Sequence, residues 1–511
     1  MSEPMQEEPI ENCETESPAL DPPNEAPNDN PEEVQNKETA DDGALGDGLK
    51  DIPLDKLFDD EMDVDDAGPL GPEEYRHLAQ YDDPWSDLKD PHVMMNFYRR
   101  IFPWKQLFLW LNQDHVPNYL FTHREFAITL QNDAYLRYNS YANYVDLQKD
   151  IIRLNPTRFE IGPAYSAPPK DRKTLPKASF KPILRELVFD IDLTDYDDIR
   201  RCCSDKKICI KCWKFISLAI QVLDFTLRQD FGYKHLLWVY SGRRGAHCWV
   251  SDEEAMRLTD EQRKAIVSYI NIMKGGGSKF GLKVDLKSPL HPMVERSLME
   301  LTNSFLPVVL RDQEVFKEED KWKFLLRIWS DTDLTKKFEQ AWLSDPEITS
   351  EEKWKAVLNY YKPSEKEKTP NHSQKKLTAL RDVINNVILH YTYPRIDLEV
   401  SKHLNHLLKS PFCVHPATGK VCVPLDPKNL DTFDPDKVPD VRDLLRELDK
   451  HPSSTLPTPA NPSASVEPPV ALNWHHTSLR PYVEFFQEHV NGLLKDRLQI
   501  KKDLQTDSLE F

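Results

Sequence analysis

The chain has 511 residues, a length that accommodates about two to four domains, and 39% of them are hydrophobic, enough to build a substantial core. Its net charge of −19 argues at first sight against nucleic acid, but 25 Asp or Glu against 4 Lys or Arg fall within residues 1–80, leaving 60 acidic and 62 basic residues in 81–511. The acidity belongs to a tail, and the remainder is free to carry basic grooves. No apolar signal region opens the chain, and no apolar run approaches the ~20 residues of a membrane span. Eight cysteines without a secretory signal read as thiols or metal ligands, so a soluble intracellular protein with no membrane contact is expected.

Residues 1–80 are rich in Pro, Glu, Asp and Asn and nearly free of aromatics, so they cannot bury enough apolar surface to order themselves. One small apolar island, residues 52–58, interrupts the acids and reads either as a docking motif or as a chance cluster. Asp90 and Pro91 supply an N-cap and a first helical position, after which Met94, Phe97, Tyr98 and Ile101 recur at helical spacing until Pro103. Residues 124–138 read as a hairpin turning at Asn132-Asp133. Two central strands, 186–192 and 236–240, flank a helix over about 212–230. From about 254 to 390 the texture becomes charged, Trp-containing and helical, which predicts an insertion.

A strand over 394–400 is expected to return to the core, followed by a helix over 400–409 with Leu404, Leu407 and Leu408 inward. Lys402, His406 and Lys409 would then form an i, i+4, i+7 stripe, with Pro411 ending the helix and His415 on a loop. Residues 451–472 are a Pro/Ser/Ala-rich linker, and Tyr482, Phe485, Phe486, Val490 and Leu493 mark a final amphipathic helix. The expected organisation is a tail (1–80), a catalytic core (81–270), a helical subdomain (271–385), the core resumed (386–450), the linker (451–472) and a C-terminal helix (473–511). The fold class is α/β in the α+β sense, with a mixed or antiparallel sheet.

Three constellations carry chemistry. In residues 185–192, alternation puts Leu187, Phe189 and Ile191 on one face and Asp190 and Asp192 on the other. Paired carboxylates repel and resist desolvation unless a cation offsets them, and oxygen ligands suit Mg²⁺ or Mn²⁺; an exposed strand end gives the same pattern. Cys202, Cys203, Cys209 and Cys212 match a tetrahedral zinc site with no open position, hence a structural one; unligated thiols are the alternative. The strand 236–240 runs into Ser241-Gly242-Arg243-Arg244-Gly245-Ala246-His247, where two guanidiniums suit phosphate oxygens and the glycines let backbone approach a ligand. A solvated basic hairpin is the plainer reading. Asp397 adds a third acid, enough for a two-metal arrangement for phosphoryl transfer.

Val188-Phe-Asp-Ile-Asp192, the cysteine cluster, Trp238 to His247 and Leu407-Leu-Lys-Ser-Pro-Phe-x-Val-His415-Pro together resemble the small, catalytic subunit of eukaryotic DNA primase, in the archaeo-eukaryotic primase family. The resemblance runs from about 84 to 450 and returns at Thr477-Ser-Leu-Arg-Pro-Tyr-Val-Glu-Phe-Phe486. It implies nucleotidyl transfer: a DNA-directed RNA polymerase making short RNA primers on single-stranded DNA from ribonucleoside triphosphates. It also implies Asp190, Asp192 and Asp397 as ligands of two Mg²⁺ or Mn²⁺ ions and the four cysteines as zinc ligands. Ser241, Gly242, Arg243, Arg244, His247, His406, Lys409 and His415 become nucleotide contacts, with Glu125 and Arg137 as further active-site residues. The family brings an iron–sulfur large subunit, the DNA polymerase alpha complex and a nuclear location. The acidic tail and the Pro-rich linker depart from its pattern. Two other readings stay open on the residues: a glycosyltransferase whose Asp-x-Asp binds Mn²⁺ and a nucleotide-sugar, and a zinc-containing nucleic-acid scaffold.

Overall fold

The computed structural model describes residues 83–273, 281–361, 374–450 and 474–509; the expected acidic tail and Pro-rich linker lie outside them. The first helix, Pro91–Arg100, starts as its sequence dictates: the Asp90 carboxylate accepts from the His92 amide at 2.9 Å, and Val93, Met94, Phe97 and Tyr98 turn inward. Ahead of this helix Trp85 is already buried, and its indole donates to Asp449 at 2.6 Å.

Two antiparallel sheets form the centre. In the first, β1 (Arg124–Thr129) pairs with β2 (Tyr135–Asn139), giving the expected hairpin, and with β3 (Arg158–Tyr165). The other edge of β3 is shared by β4 (Pro182–Leu184) at one end and the two-residue β8 (Leu408–Lys409) at the other. The second sheet has the order β5-β7-β6-β9, from Leu187–Asp192, Gly245–Val250, Leu236–Tyr240 and Pro424–Leu425. The helix Ile210–Gln229 joins β5 to β6 and buries Trp213, Phe215, Ile216, Ile220 and Leu223.

Helices between Pro292 and Thr392 make up most of the segment expected to be helical. The C-terminal helix Arg480–Leu509 lays Val483, Phe486, Val490 and Leu493 into the core, Phe486 meeting Trp110 and Phe412 edge-on. No described helix is long and apolar enough to cross a membrane.

The segment 394–409 differs from expectation. No strand forms at 394–400: Asp397 is the N-cap of a short helix, Leu398–Lys402, that ends seven residues before the expected point. Leu408 and Lys409 are a strand, opposite Ile161 and Glu160. Lys402, His406 and Lys409 therefore share no helical stripe, and Pro411 ends no helix. Helical spacing of leucines is weak support over ten residues, and pairing with an open edge of β3 outweighs it.

β5 is an edge strand, and the same segment covers that edge. The Asp397 amide donates to the Asp190 carbonyl at 3.0 Å, and Ser401 Oγ donates to the Val188 carbonyl at 2.5 Å. This capping satisfies carbonyls that an edge would leave open, and it delivers the third acid to the first two.

Candidate active site

The strand alternation of β5 buries Leu187, Phe189 and Ile191 and leaves Asp190 and Asp192 partly open on the opposite face. Behind it lies a fully buried ionic core. Arg124 grips Glu186 through two bonds of 2.7 and 3.0 Å, and Arg263 donates to the carbonyls of Arg185 and Glu186. Arg185 is buried with only one guanidinium nitrogen bonded, to the His403 carbonyl at 3.1 Å, and burial pushes it down to about 9. Charges preceding an apolar strand read as a solvated flank, so this anchor is invisible in sequence.

Asp190 sits opposite His247 in the β5–β7 register, their nearest side-chain atoms 3.6 Å apart. Burial first, then the neighbouring charges of Asp192 and Asp397, push its carboxyl up to about 7. His247 is pushed down to about 3 by burial and by the Lys409 ammonium, so the pair is not an ion pair. Asp192 behaves oppositely. Burial would raise it, but the Thr194 amide and hydroxyl, both at 2.8 Å, and the Arg244 guanidinium at 3.1 Å outweigh that and hold it below the usual carboxylate value. Asp195, on the turn after β5, is a fourth acid that the sequence reading missed; burial, Asp192 and Asp397 raise its carboxyl. Its only sequence signal is its spacing, three residues past Asp192.

The loop Ser241–Arg244 crosses the head of this acid cluster. Gly242 has φ +87°, and a Cβ there would lie 2.6 Å from His415 Cβ. Gly245 pairs with Asp192, and a Cβ on it would lie 2.1 Å from the Ile191 carbonyl oxygen, so only glycine lets β7 carry Arg244 onto Asp192. Ser241 Oγ accepts from the Gly245 amide at 3.0 Å, Thr418 Oγ1 donates to the Gly242 carbonyl at 2.8 Å, and Lys409 Nζ donates to the Ser241 carbonyl. Tyr240 donates to the Arg243 carbonyl at 3.0 Å. His415 is pushed down to about 4 by burial and by the Lys409, Arg243, Arg158 and Arg244 cations. His406 is half-buried, and burial with the Arg185 charge lowers it.

Glu125 and Arg137 form a separate pair on the first sheet. The Glu125 carboxylate is fully buried and accepts from Arg137 at 2.8 and 3.1 Å, from the Tyr138 amide at 3.1 Å and from the Tyr165 hydroxyl at 2.9 Å. With its oxygens so occupied, Glu125 orients the part-exposed Arg137 and has no free lone pair for a catalytic proton. The reading of Glu125 as a catalytic group thus becomes one of positioning.

The donor sets suit the metals the sequence suggests. The four cysteine sulfurs lie within 4.8 Å of one another, those of Cys209 and Cys212 3.9 Å apart, which matches the roughly 3.8 Å edge of a tetrahedron with 2.3 Å zinc–sulfur bonds. Gln313 braces the cluster through Cys202 Sγ at 3.3 Å and the Arg201 amide at 2.7 Å. Among the described residues no other group brings three such ligand atoms so close. The acids are more open, Asp192 being drawn to Arg244, but the field that raises Asp190 and Asp195 is one that divalent cations would relieve.

A family model described as DNA primase small subunit matches residues 189–427, which span the acids, the cysteines and the loop. A relative from Schizosaccharomyces pombe named DNA primase small subunit is 44% identical over 83% of this chain and 93% of its own length. One of the same name from Saccharomyces cerevisiae is 39% identical over 82% of this chain and 97% of its own. A solved polymerase domain of Mycobacterium tuberculosis ligase D, in complex with DNA, covers 71% of this chain and 89% of its own at 10% identity, but a TM-score of 0.31 is too low to argue from. Relatives so alike over nearly their whole length leave no doubt of descent, and the chain belongs to the DNA primase small subunit family.

Proposed function

We propose that the site formed by Asp190, Asp192, Asp397 and the Ser241–Arg244 loop synthesises RNA primers on single-stranded DNA by nucleotidyl transfer. The observation that carries this reading is the capping of β5: one hydrogen bond, Asp397 N–H to Asp190 C=O at 3.0 Å, sets the third acid beside the two on the strand. Family membership makes the chain the catalytic subunit of a primase, and its being a small subunit implies a large one.

Asp190, Asp192 and Asp397 would hold Mg²⁺ or Mn²⁺, which supplies activation of a 3′-hydroxyl and offsets charge on the triphosphate. Arg243 and Arg244 neutralise phosphate charge; as nucleotide arrives, Arg244 exchanges its Asp192 partner for phosphate oxygens. Lys409 holds a fixed charge between the sheets. His247 and His415 are neutral at physiological pH and so serve as hydrogen-bond partners rather than charges. Arg137, locked by Glu125, presents a guanidinium from the first sheet. Initiation asks more than elongation, since two free nucleotides must be oriented with no primer to hold one of them.

The same reading assigns Zn²⁺ to the cysteines, where its role is structural, and an iron–sulfur large subunit, the DNA polymerase alpha complex and a nuclear location to the assembly. A glycosyltransferase would have no use for the Arg–Arg loop or the cysteine cluster. The test is synthesis from unprimed single-stranded DNA, labelled ribonucleotides and Mg²⁺ or Mn²⁺, beside Asp190→Ala/Asp192→Ala. Short RNA from the wild type alone is expected. Silence even with the large subunit and a primed template would refute the assignment.

A further inference from the structure

The loop of residues 166–181 has no task in the chemistry above. It carries Lys170, Arg172, Lys173, Lys177 and Lys181 against one acid, Asp171, and all six are exposed. Among the described residues none of the five cations has a carboxylate partner, whereas Arg124, Arg137, Arg153 and Arg158 on neighbouring elements are all paired. Surface lysines are ordinarily just solvated, so charge by itself decides little.

Three further features do. The loop is closed on itself: the Ser166 amide donates to the Lys181 carbonyl at 3.0 Å, and Ser166 Oγ bonds the Ser179 carbonyl at 2.6 Å and the Lys181 amide at 3.1 Å. The cations are thus presented from a fixed frame. An aromatic cluster edges it, with Phe180 stacked on Tyr165 at 4.3 Å and 2° and Tyr138 edge-on to both; Phe180 and Tyr138 are half-exposed. Tyr138 is held at φ +66°, which bulky residues rarely adopt, with the Arg172 guanidinium 3.9 Å from its ring centroid and that of Arg137 at 4.9 Å.

This cluster shares strand β3 with the neighbourhood of Lys409. The Glu125 carboxylate that locks Arg137 also takes the Tyr138 amide and the Tyr165 hydroxyl. From Tyr165, β3 runs five residues, about 16 Å, to Glu160, which lies opposite Lys409.

We propose that residues 166–181, with Tyr138 and Phe180, form the track along which the single-stranded DNA template reaches the acids. The cations take backbone phosphates and the two rings stack bases, the combination by which strands are held without sequence preference. The proposal rests on the primase reading.

It is tested on the full chain by titrating a labelled oligothymidylate of about 20 nucleotides, from about 50 to 200 mM salt. Lys173→Gln/Lys177→Gln/Lys181→Gln should weaken binding at least about 10-fold and lower the log–log salt slope by about 2, near 0.7 per lost contact. Phe180→Ala should weaken it about 10-fold at unchanged slope, through lost stacking. The three lysines changed to Arg should bind as wild type, and triphosphate affinity should not move in any of these variants. Wild-type affinity and slope in the Gln variant would overturn the proposal, as would an equal loss of triphosphate binding. Asp190→Ala/Asp192→Ala should bind the strand normally while making no RNA. A chain that loses DNA on loop substitution yet never makes primers keeps the track and loses the primase reading, and the reverse pattern does the opposite.

Discussion

Lys409 Nζ donates to the Ser241 carbonyl, so the last residue of a two-residue strand on the first sheet ties that sheet to the Ser241–Arg244 loop of the second. Its ammonium bears on groups from three directions, lowering His247 and His415 and partly opposing the rise of Asp190.

Replacing it tests that position. Lys409→Met keeps most of the stem and removes the charge. If the ammonium also meets the triphosphate, losing that charge-assisted hydrogen bond of about 1.5–3 kcal/mol should weaken triphosphate binding about 10- to 150-fold. Calorimetric titration with a nucleoside triphosphate reads this directly, and an unchanged affinity would show that Lys409 only braces the loop.

Asp190 predicts a pH dependence of stability in metal-free protein. Its folded carboxyl lies near 7, above the ordinary 3.8, so the folded state holds the proton more tightly and stability falls as pH rises from about 4 to about 7. The shift is worth on the order of 2–4 kcal/mol. Asp190→Asn should flatten that fall and be the more stable protein at pH 8 with chelator present. Added Mg²⁺ or Mn²⁺ should then stabilise the wild type and leave the variant unmoved. Urea midpoints at pH 5 and 8 decide it; parallel pH profiles would mean that Asp190 ionises without strain.

The cysteine cluster should hold one zinc ion per chain by metal analysis. Cys212 is buried at the start of the helix Ile210–Gln229, and Gln313 reaches Cys202 from the helical segment. Cys212→Ser should therefore lose the metal and lower the melting temperature, while Cys248→Ser, outside the cluster, keeps it. Full metal content in Cys212→Ser would remove zinc from the account.

How much of this was legible follows from which interactions are local. Strand alternation put Asp190 and Asp192 on one face, and the short spacing of the cysteines confined their sulfurs to one cluster. The glycines that let the chain turn after Ser241 are local in the same way, although Lys409 and Thr418 hold that turn from far along the chain. Residues 394–409 went the other way, because Leu404, Leu407 and Leu408 carry a helical rhythm with no local competitor in sequence. Only the open edges of β3 and β5, built by residues more than 200 positions away, turn that rhythm into a capping helix and a two-residue strand. The fully buried Arg124–Glu186 pair was unreadable for the same reason, since a charged residue looks solvated until its partner across the chain is known.

By itself, then, the sequence determined the chemistry on offer: paired acids, a guanidinium-rich glycine loop, four thiols, and the strands and helix that present them. Those assignments depend on backbone periodicity and on residue types a few positions apart. Tertiary structure decided how the separated groups combine: Asp397 against β5, Lys409 across to Ser241, and Arg124 onto Glu186. Each is a contact between distant segments, set by which sheet edges remain unpaired and which buried charges need a partner.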